Sequence, residues 1–447
     1  MAAPLSYNGQ KTIPTLWPER ILKRDFEVVL GKMLQPEQEK SDETEEPYLR
    51  SANVQWEGVD ISDIKTMWFS PRGKRELLLR PGDLVVNEGG DVGRCATWNG
   101  ELEACYFQNA INRVRPRRKA SARFLYYWLY NIKHAGFIDA IVGRTTIAHL
   151  TAEKLEGVPW PDVPPAEQQH IASYLDASCA AIDAAVAAKR RQLDTLDELR
   201  NSIISRAVTQ GLNPQAKLKF FGLDWLSEVP THWQVRQIKR VCSLVRGQFS
   251  HRPRNDPAFY DGPYPFVQTG DITAAEKYIR TYSQTLNELG LSVSKRFPRG
   301  TLVMSIAANI GDVAILDFEA CFPDSMIGMI PGHKTNLGFL YYLMRAMRGI
   351  MLRSAVQSTQ LNLNYVRIGT NFAPFPPLKE QSAIAEYLDA KERESHLISN
   401  TIESQIATLT AYRKSLIHEC VTGQRRVTEA DLAWVGRGES NSSRPSR

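Results

Sequence analysis

No paired cysteines, no long apolar run and no leader-like start occur in this 447-residue chain. Residues Met1–Pro14 show no basic stretch followed by an apolar one, so a secretory signal is not expected. Nowhere do 18 apolar residues stand together, so neither a membrane span nor a membrane partner is expected. The six cysteines, Cys95, Cys105, Cys179, Cys242, Cys321 and Cys420, are far apart and form no Cys-x-x-Cys pair. That argues against a zinc knuckle or a disulfide framework and fits a reducing cytoplasm.

Catalytic patterns are equally scarce. There is no G-x-x-x-x-G-K-S/T phosphate loop, which disfavours a nucleotide-hydrolysing motor. The nearest glycine-rich stretch, Gly89-Gly90-Asp91-Val92-Gly93, reads as a turn between strands. The Asn/Asp-Pro-Pro-aromatic tetrapeptide of amino-methyltransferases is missing, and Asp261-Gly-Pro-Tyr264 only imitates it. Asp63-Ile64-Lys65 lacks the upstream Pro-Asp of a nuclease site and reads as a solvated charge pair. The eight histidines have no ligand spacing, so no metal site is expected, and G-x-S-x-G is absent. Asn53 and Asp271 follow strands at matching places and read as turn residues.

What is present is ordinary globular composition, 43% hydrophobic and 23% charged, with a net charge of +6. The length suggests two to four domains. The charge permits an anionic partner without demanding one.

The chain also repeats itself. Ile13-Pro-Thr-Leu-Trp17 returns as Val229-Pro-Thr-His-Trp233, and Arg80–Val86 returns as Pro298–Met304. Phe124-Leu-Tyr-Tyr127 returns as Phe339-Leu-Tyr-Tyr342. Glu167-Gln168 with Tyr174-Leu-Asp176 returns as Glu380-Gln381 with Tyr387-Leu-Asp389. The order is kept and the offset drifts only between 213 and 218, which marks a duplicated domain pair. In each half a mixed stretch with short strands (Tyr48–Arg50, Leu84–Val86, Phe266–Val267) leads to a short helix, at Ala122–Lys133 and Leu337–Arg348. A Pro-Pro punctuation follows, then a segment free of proline and glycine, Ala166–Gln210 and Leu378–Thr422. Gly211 and Gly423 close these segments, the boundary grammar of helices.

Both segments carry a 4-3 apolar spacing. The first runs through Leu175, Cys179, Ile182, Val186, Leu193, Leu196, Ile203 and Ala207, with Lys189 and Arg200 as polar positions. The second runs through Leu388, Ile398, Ile402, Leu409, Tyr412 and Leu416, with Lys391, Ser395 and Gln405 as polar positions. This spacing suits a two-helix seam. At 1.5 Å per residue each helix would be roughly 65 Å long, too long to bury its stripe alone. Antiparallel pairing would return the chain toward its first domain, giving a rod with a globular domain at each end. The alternative is that each helix packs flat on its own domain.

The duplicated plan, with Pro-Pro-x-x-Glu-Gln opening each long helix, resembles the DNA-specificity subunit of type I restriction–modification systems. The likeness runs from about Trp17 to Val427. It rests on the two Pro-Thr-x-Trp entries, on Ser358-Thr-Gln-Leu-Asn-Leu-Asn364 and on Phe375-Pro-Pro-Leu-Lys-Glu-Gln381. The first half departs from the pattern: Gly143–Leu150 replaces the Ser-Thr-Gln loop, and Trp160–Gln168 carries two extra residues.

The resemblance implies an α+β fold: two globular mixed α/β target-recognition domains joined by two long antiparallel helices, a coiled-coil spacer, with an internal pseudo-two-fold repeat. The expected divisions are recognition domains at 1–164 and 215–376, spacers at 165–214 and 377–425, and a disordered tail at 426–447. The partners it implies are double-stranded DNA, two methyltransferase (modification) subunits and restriction (motor-nuclease) subunits. S-adenosylmethionine, ATP and Mg would sit on those subunits, with no cofactor on this chain. The chain itself would be non-catalytic and would read a bipartite, asymmetric site. Half-sites on one face of B-DNA lie about 34–36 Å apart, a span such a spacer can cover.

Phosphate contact needs Lys and Arg, and base readout needs polar side chains on reachable loops. In the first half the candidates are Arg72, Lys74, Arg75, Arg94, Arg115, Arg117, Arg118, Arg144 and Thr145. In the second they are Arg246, Gln248, Arg252, Arg254, Gln268, Asn309, Ser358, Thr359 and Gln360. The acidic stretch Glu37–Glu46 is expected to be a solvated loop away from DNA. Competing readings are a stand-alone nuclease or methyltransferase, which the missing motifs disfavour, a coiled-coil adaptor that binds only protein, and a subunit of a methylation-only complex.

Overall fold

The computed structural model describes residues 15–142, 149–223, 225–307, 309–356 and 365–433. The two uninterrupted segments are helical, over Pro165–Gln210 and Leu378–Thr422. The chain divides into two compact units, Met1–Lys189 with Ser404–Arg447, and Arg190–Glu403, so each unit owns part of both long helices.

The first unit holds an antiparallel four-stranded sheet in the order Phe26–Leu30, Ile111–Pro116, Leu84–Asn87, Cys95–Thr97. A three-stranded sheet places Thr44–Leu49 between Lys65–Phe69 and Tyr106–Phe107. The short helix Ala122–His134 starts at Ser121, whose hydroxyl accepts from the Phe124 N–H at 3.1 Å, as an N-cap should. Its Phe124, Leu125, Tyr127 and Trp128 are buried with Ile171, Leu175 and Cys179 of the first long helix and Leu416, Ile417 and Cys420 of the second. Each such side chain contributes about 1.5–3 kcal/mol by leaving water. Arg413 pairs with Asp183 at 3.1 Å, while Arg425, just past the second helix, covers the Tyr174 ring at 5.1 Å. Numbers rise along one helix as they fall along the other, so the two run antiparallel within this unit.

The second unit holds a five-stranded sheet, Cys242–Arg246, Met326–Pro331, Leu302–Ser305, Val313–Leu316, Tyr278–Ile279. A four-stranded sheet runs Gln284–Leu286, Tyr260–Phe266, Ala320–Cys321, Arg296–Phe297. The short helix Leu337–Ala346 is capped by Asn336, which accepts from the Phe339 N–H at 2.9 Å. Phe339, Leu340 and Tyr342 share a core with Ile204, Ala207 and Val208 of the first long helix and with Ile384 and Leu388 of the second. Arg200 meets Glu392 at 3.5 Å, and Ala207 lies near Tyr387, again an antiparallel order within the unit.

The repeat explains its own motifs. Trp233 is buried against Gly211, and Trp17 packs on Gly423; a Cβ on either glycine would lie 3.0 Å from the ring. Both glycines have positive φ, 77° and 80°, the left-handed turn that ends a helix. Gln168 and Gln381 are buried. The side-chain oxygen of each accepts the backbone N–H of the residue capping the short helix, Ser121 at 2.8 Å and Asn336 at 2.7 Å. Tyr127 donates to Asp176 at 2.7 Å and Tyr342 to Asp389 at 2.6 Å. Asn53 and Asp271 cap matching short turns, accepting from the backbone N–H of Arg50 and Gln268. The Gly89–Gly93 stretch is a turn closed by Gly93 N–H to the Asn87 carbonyl at 2.9 Å, and the turn that ends at Gly311, offset by 218 in the second half, is closed in the same way by Gly311 N–H to the Ser305 carbonyl at 2.9 Å.

Three expectations change. Glu37–Glu46 is not wholly a solvated loop: Thr44–Glu46 begin a strand. Glu43 is buried, its carboxylate accepting the backbone N–H of Glu39 at 2.9 Å and Lys40 at 3.1 Å. Those bonds, the Glu39 one foremost, hold its pKa below the ordinary carboxylate value. The tail assigned from residue 426 onward is folded through 433. Val427 packs on the first core, and Thr428 and Asp431 bond to each other. Residues 434–447 lie outside the described residues. Finally, Ile398 and Tyr412 of the 4-3 stripe are 42% and 50% exposed. Ile402 and Leu416 of the same stripe are buried, so the stripe is covered only in part. One window of the first long helix is apolar enough on average to meet a membrane-span criterion. It is alanine-rich, and its Leu175, Cys179 and Ile182 are buried in the first core.

Candidate nucleic-acid interface

In the first unit the helix Pro71–Leu77 is started by Ser70, which accepts from the Gly73 N–H at 3.1 Å. It displays Arg72, paired with Glu76 at 2.7 Å, and Arg75, which is exposed and has no ion pair among the described residues. Lys74 is tied to Glu46 and to the Thr44 hydroxyl. Burial raises the Glu46 pKa, but the bonds from Lys74 and Thr44 outweigh it and leave the carboxyl below its usual range. Arg94 sits on the Asn87–Arg94 turn, 3.5 Å from the Ser51 carbonyl and 3.6 Å from Asp91. Arg117 and Arg118 follow the strand Ile111–Pro116 and are exposed, Arg118 in a left-handed conformation with φ 64°.

Arg115 serves the fold instead of the surface. Its guanidinium grips Asp83 with two bonds, 2.7 and 2.6 Å, and Asp83 is 2% exposed. A bidentate pair of this kind is among the stronger polar contacts a protein makes. The neighbouring Arg113 is buried too, bonded to the Glu76 carbonyl at 2.7 Å and to Glu27 at 3.1 Å. Alternation along the strand decides this, since residues 113 and 115 share a face. Arg144 and Thr145 lie outside the described residues.

In the second unit the arginines gather around one residue. Arg246 donates to the Asp324 carbonyl at 2.7 Å, Arg254 pairs with the Asp324 carboxylate, and Arg252 lies 3.6 Å from it. Arg252 also donates to the carbonyls of Phe249 and His251, both at 2.7 Å. Gln248 donates to the Ser250 hydroxyl at 3.0 Å. His251 stacks on Phe259 at 3.9 Å and meets Asp256 at 3.1 Å.

Gln268 follows the strand Tyr260–Phe266 and caps the helix Thr269–Ala274, its side chain donating to Gln284 at 2.9 Å. Asn309 donates to Thr273 at 2.8 Å on the rim of a cleft of about 620 Å³. Arg200, Arg345, Arg348 and Glu392 also line that cleft. Arg348 pairs with Asp312 at 2.9 Å, and Arg345 with Glu392 at 2.9 Å. Arg345 lies in the last turn of the apolar helix Leu337–Ala346 and Arg348 opens the helix that follows, Arg348–Val356; their nearness to the turn residues Asn309–Asp312 arises only in three dimensions. Ser358, Thr359 and Gln360 lie outside the described residues.

Thus the structure groups Arg246, Gln248, Arg252 and Arg254 on one loop system and Arg72, Lys74 and Arg75 on one short helix. Guanidinium, ammonium and amide groups of this kind suit phosphate oxygens and base edges. No group of three or more His, Cys, Asp or Glu able to hold a metal occurs among the described residues.

Residues 17–193 and 230–408 each match the model of the type I restriction modification DNA specificity domain. Over 437 residues the chain is 23% identical to the putative type I restriction enzyme MjaX specificity subunit of Methanocaldococcus jannaschii, covering 93% of this chain and 95% of that one. It is 26% identical over 323 residues to the putative specificity subunit S.HindORF215P of Haemophilus influenzae, 69% of this chain and 75% of that one. Among solved structures, a chain from work on assembly and conformational transition of the type I R-M system aligns with a TM-score of 0.71 at 15% identity, covering 92% and 99% of the two chains. The HsdS subunit of Thermoanaerobacter tengcongensis aligns with a TM-score of 0.52 at 16% identity, covering 93% and 99%. The two solved structures share the fold, and the double match of the specificity-domain model places the chain in the type I restriction–modification DNA-specificity family.

Proposed function

We propose that this chain is the DNA-recognition subunit of a type I restriction–modification complex and that each unit reads one half of a split, asymmetric site. The observation that carries this is the pair of specificity domains, built on one skeleton but presenting different basic surfaces. The chain supplies recognition; methyl transfer and cleavage belong to modification and restriction subunits, with S-adenosylmethionine, ATP and Mg held there. Readout in the second unit falls to Arg246, Gln248, Arg252 and Arg254. In the first it falls to Arg72, Arg75, Arg117 and Arg118, with Arg115 engaged by Asp83.

The test is the Arg252→Ala, Arg254→Ala double variant in complex with its modification subunits. Binding to duplex DNA should weaken, and the plot of log affinity against log salt should flatten by about 0.9 for each phosphate no longer neutralised. The methylated motif should change in one half only. Unchanged binding and an unchanged motif would remove this loop from the interface.

A further inference from the structure

We infer that Asp324 is a specificity-determining residue: its carboxylate holds the arginine loop of the second unit and competes with DNA phosphate for it. The inference rests on the DNA-reading role given above to Arg252 and Arg254.

The turn that carries Asp324 is rigid. Phe322 is fully buried and stacks on Phe297 at 3.9 Å. The backbone on either side is pinned to the arginine loop, Gln248 N–H to the Phe322 carbonyl at 3.0 Å and Gly247 N–H to the Met326 carbonyl at 2.9 Å. The approach is so close that a Cβ on Gly247 would lie 2.2 Å from the Pro323 oxygen, so only glycine fits there. Asp324 is therefore held beside the base of the loop at Gly247 and Gln248, within reach of the Arg252 and Arg254 side chains.

The loop's arginine side chains are open to solvent. The Arg252 and Arg254 side chains are 54% and 46% exposed, and that of Asp324 is 31% exposed. Asp256, the other acid of this loop, is occupied by His251 and by the Ala258 N–H. One carboxylate thus faces two arginines, Arg252 and Arg254, while Arg246 is held by the Asp324 backbone carbonyl. Half-exposed pairs of this kind are weak and are screened by salt. A DNA phosphodiester, which like a carboxylate offers a pair of charged oxygens for bidentate bonding, can exchange with Asp324 on these half-exposed guanidiniums. The carboxylate nevertheless lowers the loop's attraction for every phosphate backbone, whatever the sequence. It also keeps the two guanidiniums from settling on arbitrary phosphates. DNA that offers base contacts in addition to phosphate overcomes the competition; DNA that offers phosphate alone gains less.

Asp324→Asn keeps the shape and removes the charge. The complex with modification subunits would be titrated against two duplexes over a salt series, one carrying the site found by methylation mapping and one with that site scrambled. The scrambled duplex should bind severalfold tighter than with the native chain, with a salt slope steeper by about 0.9, one more phosphate neutralised. Affinity for the cognate duplex should change less, so discrimination falls, and Asp324→Glu should restore it. Unchanged discrimination would overturn the inference. So would a loss confined to the cognate duplex, because that marks a purely structural role. If the Arg252 and Arg254 variants leave binding intact, the reading of the loop itself fails, whatever Asp324→Asn does.

Discussion

The two units use the same skeleton and spend their arginines in opposite ways. In the first, Arg113 and Arg115 point into the fold, and Arg115 is locked on the buried Asp83. In the second, Arg246, Arg252 and Arg254 stay at the surface around Asp324. What is common lies at the ends of the long helices: tryptophan on the closing glycine, glutamine under the short helix, tyrosine on aspartate. What differs lies on the sheets and loops. Duplication followed by divergence has therefore kept the joints and released the reading surfaces, as two unlike half-sites would require.

The strongest way to break this comparison is at the tryptophans. Trp233 is 1% exposed, and Trp17 is only half-buried. Trp233→Ala should lower stability by about 3–5 kcal/mol through lost burial and the cavity left behind. Trp17→Ala should cost clearly less. Urea unfolding of the two variants checks this, and equal losses would mean that the shared motif, not the local burial, sets the energy.

The opposed use of arginine comes next. Arg115→Ala leaves the Asp83 carboxylate buried without its partner, which should cost about 3 kcal/mol. Arg254→Ala breaks a half-exposed pair and should cost less than about 1 kcal/mol. Thermal melting should rank them so, while DNA affinity should rank them in reverse. A stable Arg115→Ala variant that had lost DNA binding would return Arg115 to the interface.

Much of this was legible in the residues. The offset matches revealed the duplication, which the two specificity-domain matches repeat, and proline before and glycine after fixed the long helices almost to the residue. Pairing direction followed from connectivity. The site was less legible, for a physical reason. Composition shows that Arg113, Arg115, Arg117 and Arg118 are basic but not which way each points. On a strand, Arg113 and Arg115 face the same way, and the acids that meet them come from distant parts of the chain, Glu27 and Asp83. Asp324 gave no signal at all, because it is 70 residues from the arginine it pairs with. The exposure of Ile398 and Tyr412, beside the buried Ile402 and Leu416, shows the same limit, since a heptad pattern does not record which positions find a neighbour.

The smallest effect tests the likeness of the units most directly. Tyr127 and Tyr342 are each 1% exposed, and each phenol donates to an aspartate of the adjoining long helix, Asp176 or Asp389. Burial pushes both phenols well above the ordinary tyrosine pKa, so both remain donors throughout the working range. The cation sharing each aspartate differs. Arg123, from the same short helix, reaches Asp176 at 2.6 Å, whereas Lys277, from the sheet lobe, reaches Asp389. Phenylalanine at either site removes the hydrogen bond to a charged acceptor and no packing, a loss of about 1.5 kcal/mol, and at Tyr127 also the weak 3.4 Å bond the phenol accepts from Arg123. If the joint is one design used twice, Tyr127→Phe and Tyr342→Phe should agree within about 0.5 kcal/mol in urea unfolding, and the double variant should lose the sum. A much larger loss at Tyr342 would show that Lys277 depends on the phenol to hold Asp389 in place. The Lys277–Asp389–Tyr342 set of the second unit would then be more tightly coupled than the Arg123–Asp176–Tyr127 set of the first.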